Sequence, residues 1–284
     1  MNANAVVFPG QGAQSVGMGK ELFDRYPALI SESDEILGYS VRRLCLENPG
    51  NRLNQTEYTQ VALYVVNALH YYSWRENGNE ASWFAGHSLG EYNALLATET
   101  FEFATGLRLV KKRGEAMSSV KNGGMMAVLN ISASELKYVL DTHGFETVDI
   151  ANINTQLQTV IAGPSADLER AKSVLERKSL RCVKLNVSGA FHSRYMQPAA
   201  DIFMPMLRST KWRKMKHPVV SNLEAAPYSL STISETLAAQ VTAPVRWLNT
   251  IEYFLDHGVE SITQLGPGNV LQNMTRQIKR HKAK

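Results

Sequence analysis

A serine between two glycines is the residue of this sequence with the clearest chemical capacity. Gly86, Ser88 and Gly90 form a Gly-x-Ser-x-Gly pattern that follows an apolar stretch at 83–86 and precedes a helical pattern at 89–97. In such an elbow a strand turns sharply into a helix, which exposes the serine hydroxyl at the helix N-terminus. The pattern predicts a nucleophilic serine at Ser88, although a plain turn can carry the same spacing.

A serine hydroxyl needs a base before it can attack at neutral pH, and histidine is the commonest one. His87 adjoins the serine, but its side chain is expected to diverge from the hydroxyl at a tight turn. His192 lies in an Ala-Phe-His-Ser segment at 190–193, just after the last strand of a predicted small unit. Seams between units are where clefts form. We therefore expect His192 to be the base, with a structural or surface histidine as the alternative.

The elements around these residues predict an α/β chain in which a small unit interrupts a large one. The order strand, turn, helix around Ser88 is typical of α/β folds. From residue 124 to residue 185 the pattern is β-α-β-β-α-β, the ferredoxin-like arrangement. We predict a large domain formed by residues 1–123 and 188–284 and a ferredoxin-like small domain formed by residues 124–187.

Apolar spacing and capping residues predict individual helices. Residues 20–33 and 60–74 have a helical pattern. Ser132 and Glu135 form a capping box and predict a helix that begins at Ser132. Ser165 is predicted to be the N-cap of a later helix.

Composition narrows the function classes. The chain has 284 residues, of which 44% are hydrophobic and 20% charged, as expected of a globular protein. No apolar run reaches the roughly 18 residues of a membrane span, and the N-terminus has no basic segment typical of a secretory signal. The two cysteines, Cys45 and Cys182, belong to no metal-binding cluster. We expect a cytoplasmic protein that needs no metal or cofactor and does not bind a membrane.

The net charge of +4 arises partly from two basic clusters. The first contains Lys211, Arg213, Lys214 and Lys216, and the second contains Arg276, Lys279, Arg280, Lys282 and Lys284. No nucleic-acid-binding motif accompanies them, so we expect no nucleic-acid partner. An acidic protein partner would be attracted to such patches.

Seven motifs occur in order along the chain. They are Phe-Pro-Gly-Gln-Gly at 8–12, Gly-His-Ser-Leu-Gly-Glu at 86–91, Lys-Arg-Gly-Glu-Ala-Met at 112–117, Gly-Gly-Met-Met-Ala at 123–127, Ala-Phe-His-Ser at 190–193, Pro-Val-Arg-Trp at 244–247 and Gly-Pro-Gly at 266–268. With them the chain resembles the malonyl-CoA:acyl carrier protein transacylases and the acyltransferases of polyketide synthases over nearly its whole length. The resemblance implies an α/β-hydrolase-like large domain with a ferredoxin-like insert. It also implies ping-pong transfer of a malonyl group from malonyl-CoA to the phosphopantetheine thiol of an acyl carrier protein.

The resemblance implies a role for each of five residues in the chemistry. Ser88 attacks the thioester carbonyl and His192 takes its proton. Backbone N–H groups of Gln11 and Leu89 form the oxyanion hole, and the Leu89 donor is also expected from the elbow itself. The backbone carbonyl that orients the histidine is expected at Gln240.

Substrate recognition is implied for a second set of residues. Arg113 would bind the malonyl carboxylate, because a guanidinium offers a planar pair of donors to a carboxylate. Leu89 and Phe191 match members that select malonyl over methylmalonyl, and a bulky Phe191 would crowd an α-methyl group. The remaining substrate-binding candidates are Met117, His87 and Asn152.

Several functions remain open at this stage. The sequence looks most like discrete acyltransferases that serve polyketide synthases in trans, and we expect a monomer. A housekeeping fatty-acid malonyl transacylase is the close alternative. An acyl hydrolase of the same fold is a further alternative, which Arg113 disfavours because such relatives tend to lose the arginine. A non-catalytic docking module is disfavoured by the intact set of Ser88, His192 and Arg113.

Overall fold

The computed structural model describes residues 3–282, which form eight β-strands and eleven α-helices. The strands are β1 (Ala3–Phe8), β2 (Trp83–Gly86), β3 (Gly124–Leu129), β4 (Asp149–Thr155), β5 (Gln158–Gly163), β6 (Arg181–Lys184), β7 (Val219–Val220) and β8 (Val259–Gln264). The helices are α1 (Pro27–Leu37), α2 (Val41–Glu47), α3 (Thr56–Glu76), α4 (Gly90–Ala97), α5 (Phe103–Ser119), α6 (Ala133–Thr142), α7 (Ser165–Arg177), α8 (Gln197–Ser209), α9 (Ile233–Gln240), α10 (Trp247–Asp256) and α11 (Val270–Lys282). None of the helices in this range is long and apolar enough to cross a membrane.

Four strands form a parallel sheet in the order β7-β2-β1-β8. β1 and β2 are short apolar runs whose side chains are buried on both faces, as expected for a parallel sheet covered by helices. Phe8, the last residue of β1, pairs with Gly86, the last residue of β2. The carboxyl ends of the two central strands therefore meet, and the loops that follow them lie side by side.

Helix α3 crosses the interior and packs against α5. Every residue of α3 from 59 to 69 is buried, which explains why its sequence is apolar on nearly all faces. This packing places Gln60 of α3 opposite Arg113 of α5 in the middle of the protein. The pair lies beneath the loop that follows β2.

A second sheet is antiparallel, with strand order β4-β5-β3-β6. Side chains alternate between its two faces. One face packs under α6 and α7 and contains Met126, Val128 and Ile161. The other face contains Met125, Ala127, Val160 and Ala162 and joins the main hydrophobic core.

The antiparallel sheet is attached to the rest of the molecule by backbone hydrogen bonds at its β4 edge. The N–H of Val245 donates to the carbonyl of Ala151 at 2.9 Å, and the N–H of Ile153 donates to the carbonyl of Val245 at 2.9 Å. This bridge fixes Asn152, which lies between the two bonded residues, against the segment that leads into α10.

Two sequence-based predictions about helices are wrong. Residues 20–33 do not form one helix: a short 3-10 turn at Phe23–Arg25 precedes α1, which begins at Pro27 because proline favours the first helical turn. Ser165 is the first residue of α7 and not its N-cap, a position occupied by Pro164 without a side-chain bond. The capping box of Ser132 and Glu135 is confirmed at α6.

Candidate active site

Ser88 occupies a strained elbow between β2 and α4. Its φ angle is 53°, in the left-handed region that residues with a Cβ rarely adopt. The elbow requires glycine on both sides: a Cβ at Gly86 would lie 1.8 Å from the backbone of Gly90, and a Cβ at Gly90 would lie 2.1 Å from the carbonyl oxygen of Phe8. Close packing of the turn thus holds the Ser88 side chain at the start of α4.

His192 lies directly opposite the serine. Its Nε2 is 2.7 Å from Ser88 Oγ, and its Nδ1 is 2.8 Å from the backbone carbonyl oxygen of Gln240. A carbonyl only accepts, so Nδ1 carries the proton and Nε2 is free to accept from the serine hydroxyl. Burial, followed by the positive charge of Arg113, lowers the pKa of His192 to about 3. The imidazole is therefore neutral near pH 7 and can receive a proton.

Arg113 is a buried cation beside Ser88, only 1% exposed. Its Nη1 donates to Gln60 Oε1 at 2.7 Å, and its Nη2 donates to Gln240 Oε1 at 2.9 Å and to Ser88 Oγ at 3.1 Å. Its Nε is buried without a hydrogen-bond partner in the described chain. None of the acceptors is a carboxylate, although a buried charge is normally paired. The site can therefore accommodate an anionic ligand.

Ser88, His192 and Arg113 line one cavity between the two sheets. Its walls also contain most of the residues expected from the sequence: Gln11, Leu89, Met117, Phe191, Asn152 and His87. Apolar side chains from the antiparallel sheet complete the walls, namely Met125, Ala127 and Val160. Gln240 is buried behind the cavity and reaches it through its contacts with His192 and Arg113.

The loop after β1 packs against the elbow. A Cβ at Gly10 would lie 2.4 Å from the carbonyl oxygen of His87 and 3.7 Å from the backbone nitrogen of Leu89. The loop is thus packed against the elbow at Gly10, and both Gln11 and Leu89 line the cavity that contains Ser88. Their backbone N–H groups remain the predicted donors of an oxyanion hole.

The side chain of His87 turns away from the serine. Its Nε2 is 2.9 Å from Asn154 Oδ1, and its ring centroid is 5.5 Å from that of Trp247. Burial lowers the pKa of His87. His87 thus lines the cavity but does not contact Ser88 Oγ as a base would.

Asn222, which sequence reasoning missed, supports the elbow. Its Oδ1 accepts from the backbone N–H of Ser88 at 2.6 Å, and its Nδ2 donates to the carbonyl of Gly86 at 2.7 Å. Asn222 follows β7, whose carboxyl end lies beside that of β2. A polar residue just after a buried strand was a signal that could have pointed to it.

Glu91 was recognised only as part of the elbow motif, yet its carboxyl group is completely buried. It accepts hydrogen bonds from the backbone N–H of Asn222 at 2.6 Å and from the Tyr228 hydroxyl at 2.9 Å. Gln240 Nε2 donates to its other oxygen. Burial raises the pKa of Glu91 to about 7, against the opposing effect of these hydrogen bonds and of Arg113.

Among residues 3–282 no group of three or more histidine, cysteine, aspartate or glutamate side chains could hold a metal ion. The arrangement at the cavity instead combines a hydroxyl, a neutral imidazole that accepts from it, and a buried guanidinium. This combination can form a covalent acyl-serine intermediate with an acyl group that has a negative charge.

Comparison with known proteins agrees with this geometry. The family model described as "Acyl transferase domain" matches residues 5–283. The polyketide biosynthesis malonyl CoA-acyl carrier protein transacylase BaeC of Bacillus velezensis is 49% identical over 278 residues, which cover 96% of each chain. The crystal structure of a malonyl CoA-acyl carrier protein transacylase from Burkholderia pseudomallei is similar, with a TM-score of 0.95, 44% identity and 99% coverage of both chains.

A further solved structure contains a carrier protein. It is described as a type II polyketide synthase acyl-carrier protein in complex with its malonyl-transacylase, and the matching chain has a TM-score of 0.93 and 32% identity, with 98% of this chain and 93% of that chain covered. With a family match over nearly the whole sequence and relatives of this identity, the chain belongs to the acyl transferase domain family, among the malonyl CoA-acyl carrier protein transacylases.

Proposed function

We propose that this protein transfers a malonyl group from malonyl-CoA, through an acyl-enzyme on Ser88, to the phosphopantetheine thiol of an acyl carrier protein. The observation on which this depends is the joint position of Ser88 Oγ, 2.7 Å from His192 Nε2 and 3.1 Å from Arg113 Nη2. A nucleophile and a cation that can bind a carboxylate thus lie close enough for one malonyl group to contact both. The similarity to named malonyl transacylases supports the same activity.

The first half-reaction forms the acyl-enzyme. Ser88 Oγ attacks the thioester carbonyl while its proton passes to His192 Nε2, and the oxygen of the tetrahedral intermediate accepts from the N–H groups of Gln11 and Leu89. The carbon–sulfur bond then breaks, and the CoA sulfur takes the proton from His192. The Gln240 carbonyl stabilises the imidazolium through Nδ1. This dyad suffices because a thiolate is a good leaving group, the ordinary pKa of a thiol being about 8.5.

The second half-reaction repeats these steps in reverse with a different thiol. His192 takes the proton of the phosphopantetheine thiol, whose sulfur attacks the malonyl-serine ester. The Ser88 oxygen leaves and recovers the proton from His192. The free enzyme is regenerated, which gives ping-pong kinetics.

Arg113 is proposed to bind the malonyl carboxylate. Its unpartnered Nε and the Nη2 hydrogen now directed at Ser88 would turn to the carboxylate oxygens, while the second Nη2 hydrogen keeps its bond to Gln240. An ion pair formed in a buried cavity is stronger than one at the surface. It would also hold the acyl group in one pose, which limits attack by water.

The rest of the cavity is proposed to select the acyl group. Phe191 and Leu89 are buried, 4% and 1% exposed, and both line the cavity beside Ser88. A bulky aromatic side chain there would crowd an α-methyl substituent. The other proposed contacts of the substrate are Met117, His87 and Asn152.

We further propose that the two sheets correspond to two structural units. The parallel sheet with its helices would be an α/β-hydrolase-like domain formed by residues 1–123 and 188–284. The antiparallel sheet, with strand order β4-β5-β3-β6 and two helices on one face, fits a ferredoxin-like insert at residues 124–187. The cavity would then lie between the two domains.

The partner is proposed to be a carrier protein of a polyketide synthase. This protein would act as a separate, monomeric enzyme that loads malonyl groups onto that carrier in trans. The 49% identity to a transacylase named for polyketide biosynthesis, over 96% of both chains, supports this assignment. The basic clusters are candidate contacts, although several members already form surface ion pairs: Arg213 with Glu102, and Lys216 with Glu99. Lys284 lies outside the described residues.

Malonyl transfer to a panel of purified holo carrier proteins tests the proposal. We expect malonyl-carrier product with polyketide synthase carriers, and slower transfer to the carrier of fatty-acid synthesis. The Ser88→Ala variant is the matched control and should release no CoA. Faster transfer to the fatty-acid carrier would favour the housekeeping function, and release of free malonate without transfer would favour a hydrolase.

A further inference from the structure

Glu91 is a buried acid that the mechanism above does not use. It lies in the first turn of α4, three residues after Ser88, and is completely inaccessible to solvent. Its Oε1 accepts from the backbone N–H of Asn222 and from the hydroxyl of Tyr228, and the N–H of Asn222 can only donate. Its Oε2 accepts from Gln240 Nε2. When it is ionised, at a pH above its raised pKa of about 7, the carboxylate has a donor on each side and offers only acceptor positions.

The side-chain amide of Gln240 has its orientation fixed by these partners. Its Nε2 donates to Glu91 and also to the backbone carbonyl of Ser88 at 2.9 Å, and both of these groups are acceptors. Its Oε1 must then face the opposite side, where it accepts from Arg113 Nη2 at 2.9 Å. Because the amide nitrogen of Gln240 faces the Glu91 carboxylate, its amide oxygen faces the guanidinium of Arg113 and accepts a hydrogen bond from it.

We propose that Glu91 is a positioning residue, whose carboxylate fixes the Gln240 amide and thereby holds the Arg113 guanidinium where the malonyl carboxylate binds. This inference rests on the proposed role of Arg113. It assigns to Glu91 an effect on which acyl group is accepted, in addition to any effect on folding.

Replacement of one oxygen by an amide nitrogen tests the relay. In Glu91→Gln the amide oxygen stays with the donors of Asn222 and Tyr228, so the new NH2 group faces Gln240 Nε2, and two donors meet. The Gln240 amide cannot relieve this clash by rotating, because its Oε1 would then face the Ser88 carbonyl oxygen. It is instead pushed away from residue 91, and Arg113 Nη2, which donates to Gln240 Oε1, moves with it.

The expected result is a change in acyl selectivity. Loss of a hydrogen bond to a charged group weakens binding substantially. We therefore expect kcat/KM for malonyl-CoA to fall by about tenfold or more in Glu91→Gln, mostly through an increase in KM. Acyl-enzyme formation from acetyl-CoA, which has no carboxylate, should fall by less than about threefold. A purely structural Glu91 would lower both rates by the same factor, and that outcome would overturn the proposal.

A second variant keeps the test decisive if Glu91→Gln does not fold. Gln240→Met preserves the backbone carbonyl that orients His192 but removes both amide groups, so it should lower the malonyl-to-acetyl ratio by a similar factor. An unchanged ratio in this variant overturns the proposal. Glu99→Gln is the matched control, because Glu99 is an exposed glutamate paired with Lys216 at the surface.

Arg113→Ala, measured in parallel, separates this inference from the proposed function. If Arg113→Ala leaves the malonyl-to-acetyl ratio unchanged, the role of Arg113 itself is wrong. If Arg113→Ala lowers the ratio whereas Glu91→Gln and Gln240→Met do not, only the positioning role of Glu91 is wrong.

Discussion

The two sheets contribute to the cavity in different ways. The parallel sheet and the segments around it supply the groups proposed to react, and buried hydrogen bonds hold these groups at fixed distances: 2.7 Å between Ser88 and His192, and 2.8 Å between His192 and the Gln240 carbonyl. The antiparallel sheet contributes a wall in which apolar side chains such as Met125 and Val160 stand beside the polar Asn152. Its ion pairs, such as Lys184 with Glu169, lie on the surface.

We infer from this difference that the parallel side mainly determines the reaction rate and the antiparallel side mainly determines which acyl group is accepted. Polar groups that must not move are anchored in the interior, where an unpaired donor or acceptor is costly. The apolar part of the wall acts through packing, and one methyl group there changes discrimination by about 1–3 kcal/mol. Changes on the parallel side should therefore alter rates strongly, whereas changes on the antiparallel side should alter selectivity modestly.

The largest effect is expected for His192→Ala, which removes the base from the parallel side. Acyl-enzyme formation from malonyl-CoA should fall by about a thousandfold, because general bases contribute about 100-fold to 10,000-fold. Single-turnover kinetics measures the loss. His143→Ala is the control, since His143 is exposed on the helix side of the antiparallel sheet. A loss of less than tenfold in His192→Ala would exclude its role as the base.

A smaller, substrate-dependent effect is expected for Arg113→Ala. Loss of the buried guanidinium should slow malonyl transfer by about 100-fold, because a charge-assisted pair in a buried site is removed, and acetyl transfer should change much less. Competition between the two CoA esters gives the ratio directly. Arg108→Ala, an exposed arginine on the same helix, is the matched control. Equal losses for both esters would contradict the assignment.

The pH dependence of stability tests whether His192, on the parallel-sheet side, is held neutral by burial. The pKa of His192 is about 3 in the folded protein against an ordinary value of 6.5, so between these values the unfolded chain binds a proton that the folded chain does not. Stability should therefore fall as the pH drops below 6.5, by about 2 kcal/mol from this residue at pH 5.

Urea denaturation at about pH 7.5 and about pH 5 measures this loss. The comparison is between the wild type and His192→Gln, which should lose less stability over the same interval. Glu91 acts in the opposite direction in both proteins, because its pKa is raised, and it cancels in the comparison. Identical losses in the two proteins would mean that His192 is not held neutral by burial.

The smallest effect is expected on the antiparallel side. Val160 and Ile161 are neighbours on β5 whose side chains face the cavity and the α6–α7 core, respectively. Val160→Ala should enlarge the acyl site and raise the use of methylmalonyl-CoA relative to malonyl-CoA by about threefold to tenfold. Ile161→Val should cost about 1 kcal/mol of stability and leave that ratio unchanged. The same ratio in both variants would refute the division between the two sheets.

Sequence reasoning identified the elements with strong local signals. The elbow at Ser88, the buried helix α3 and the capping box at Ser132 each depend on residues close together in the chain. The helix predicted at residues 20–33 failed because its apolar pattern runs through a segment in which Pro27 determines where the helix begins.

The supporting groups of the site could not be found this way. Asn222 contacts the elbow across 134 positions of sequence, and Gln240 contacts Glu91 across 149. Their roles depend on which loops meet at the carboxyl end of the parallel sheet, and that information is in the tertiary structure. Even the expectation for Gln240 came from a family resemblance and not from a local pattern.

Mass spectrometry of the protein after brief exposure to malonyl-CoA tests the central claim most directly. We expect a malonyl adduct confined to the peptide that contains Ser88, and we expect it to disappear when a holo carrier protein is added. Ser88→Ala should form no adduct. Malonyl transfer that proceeds without an adduct on Ser88, or with the adduct on another residue, would contradict the account.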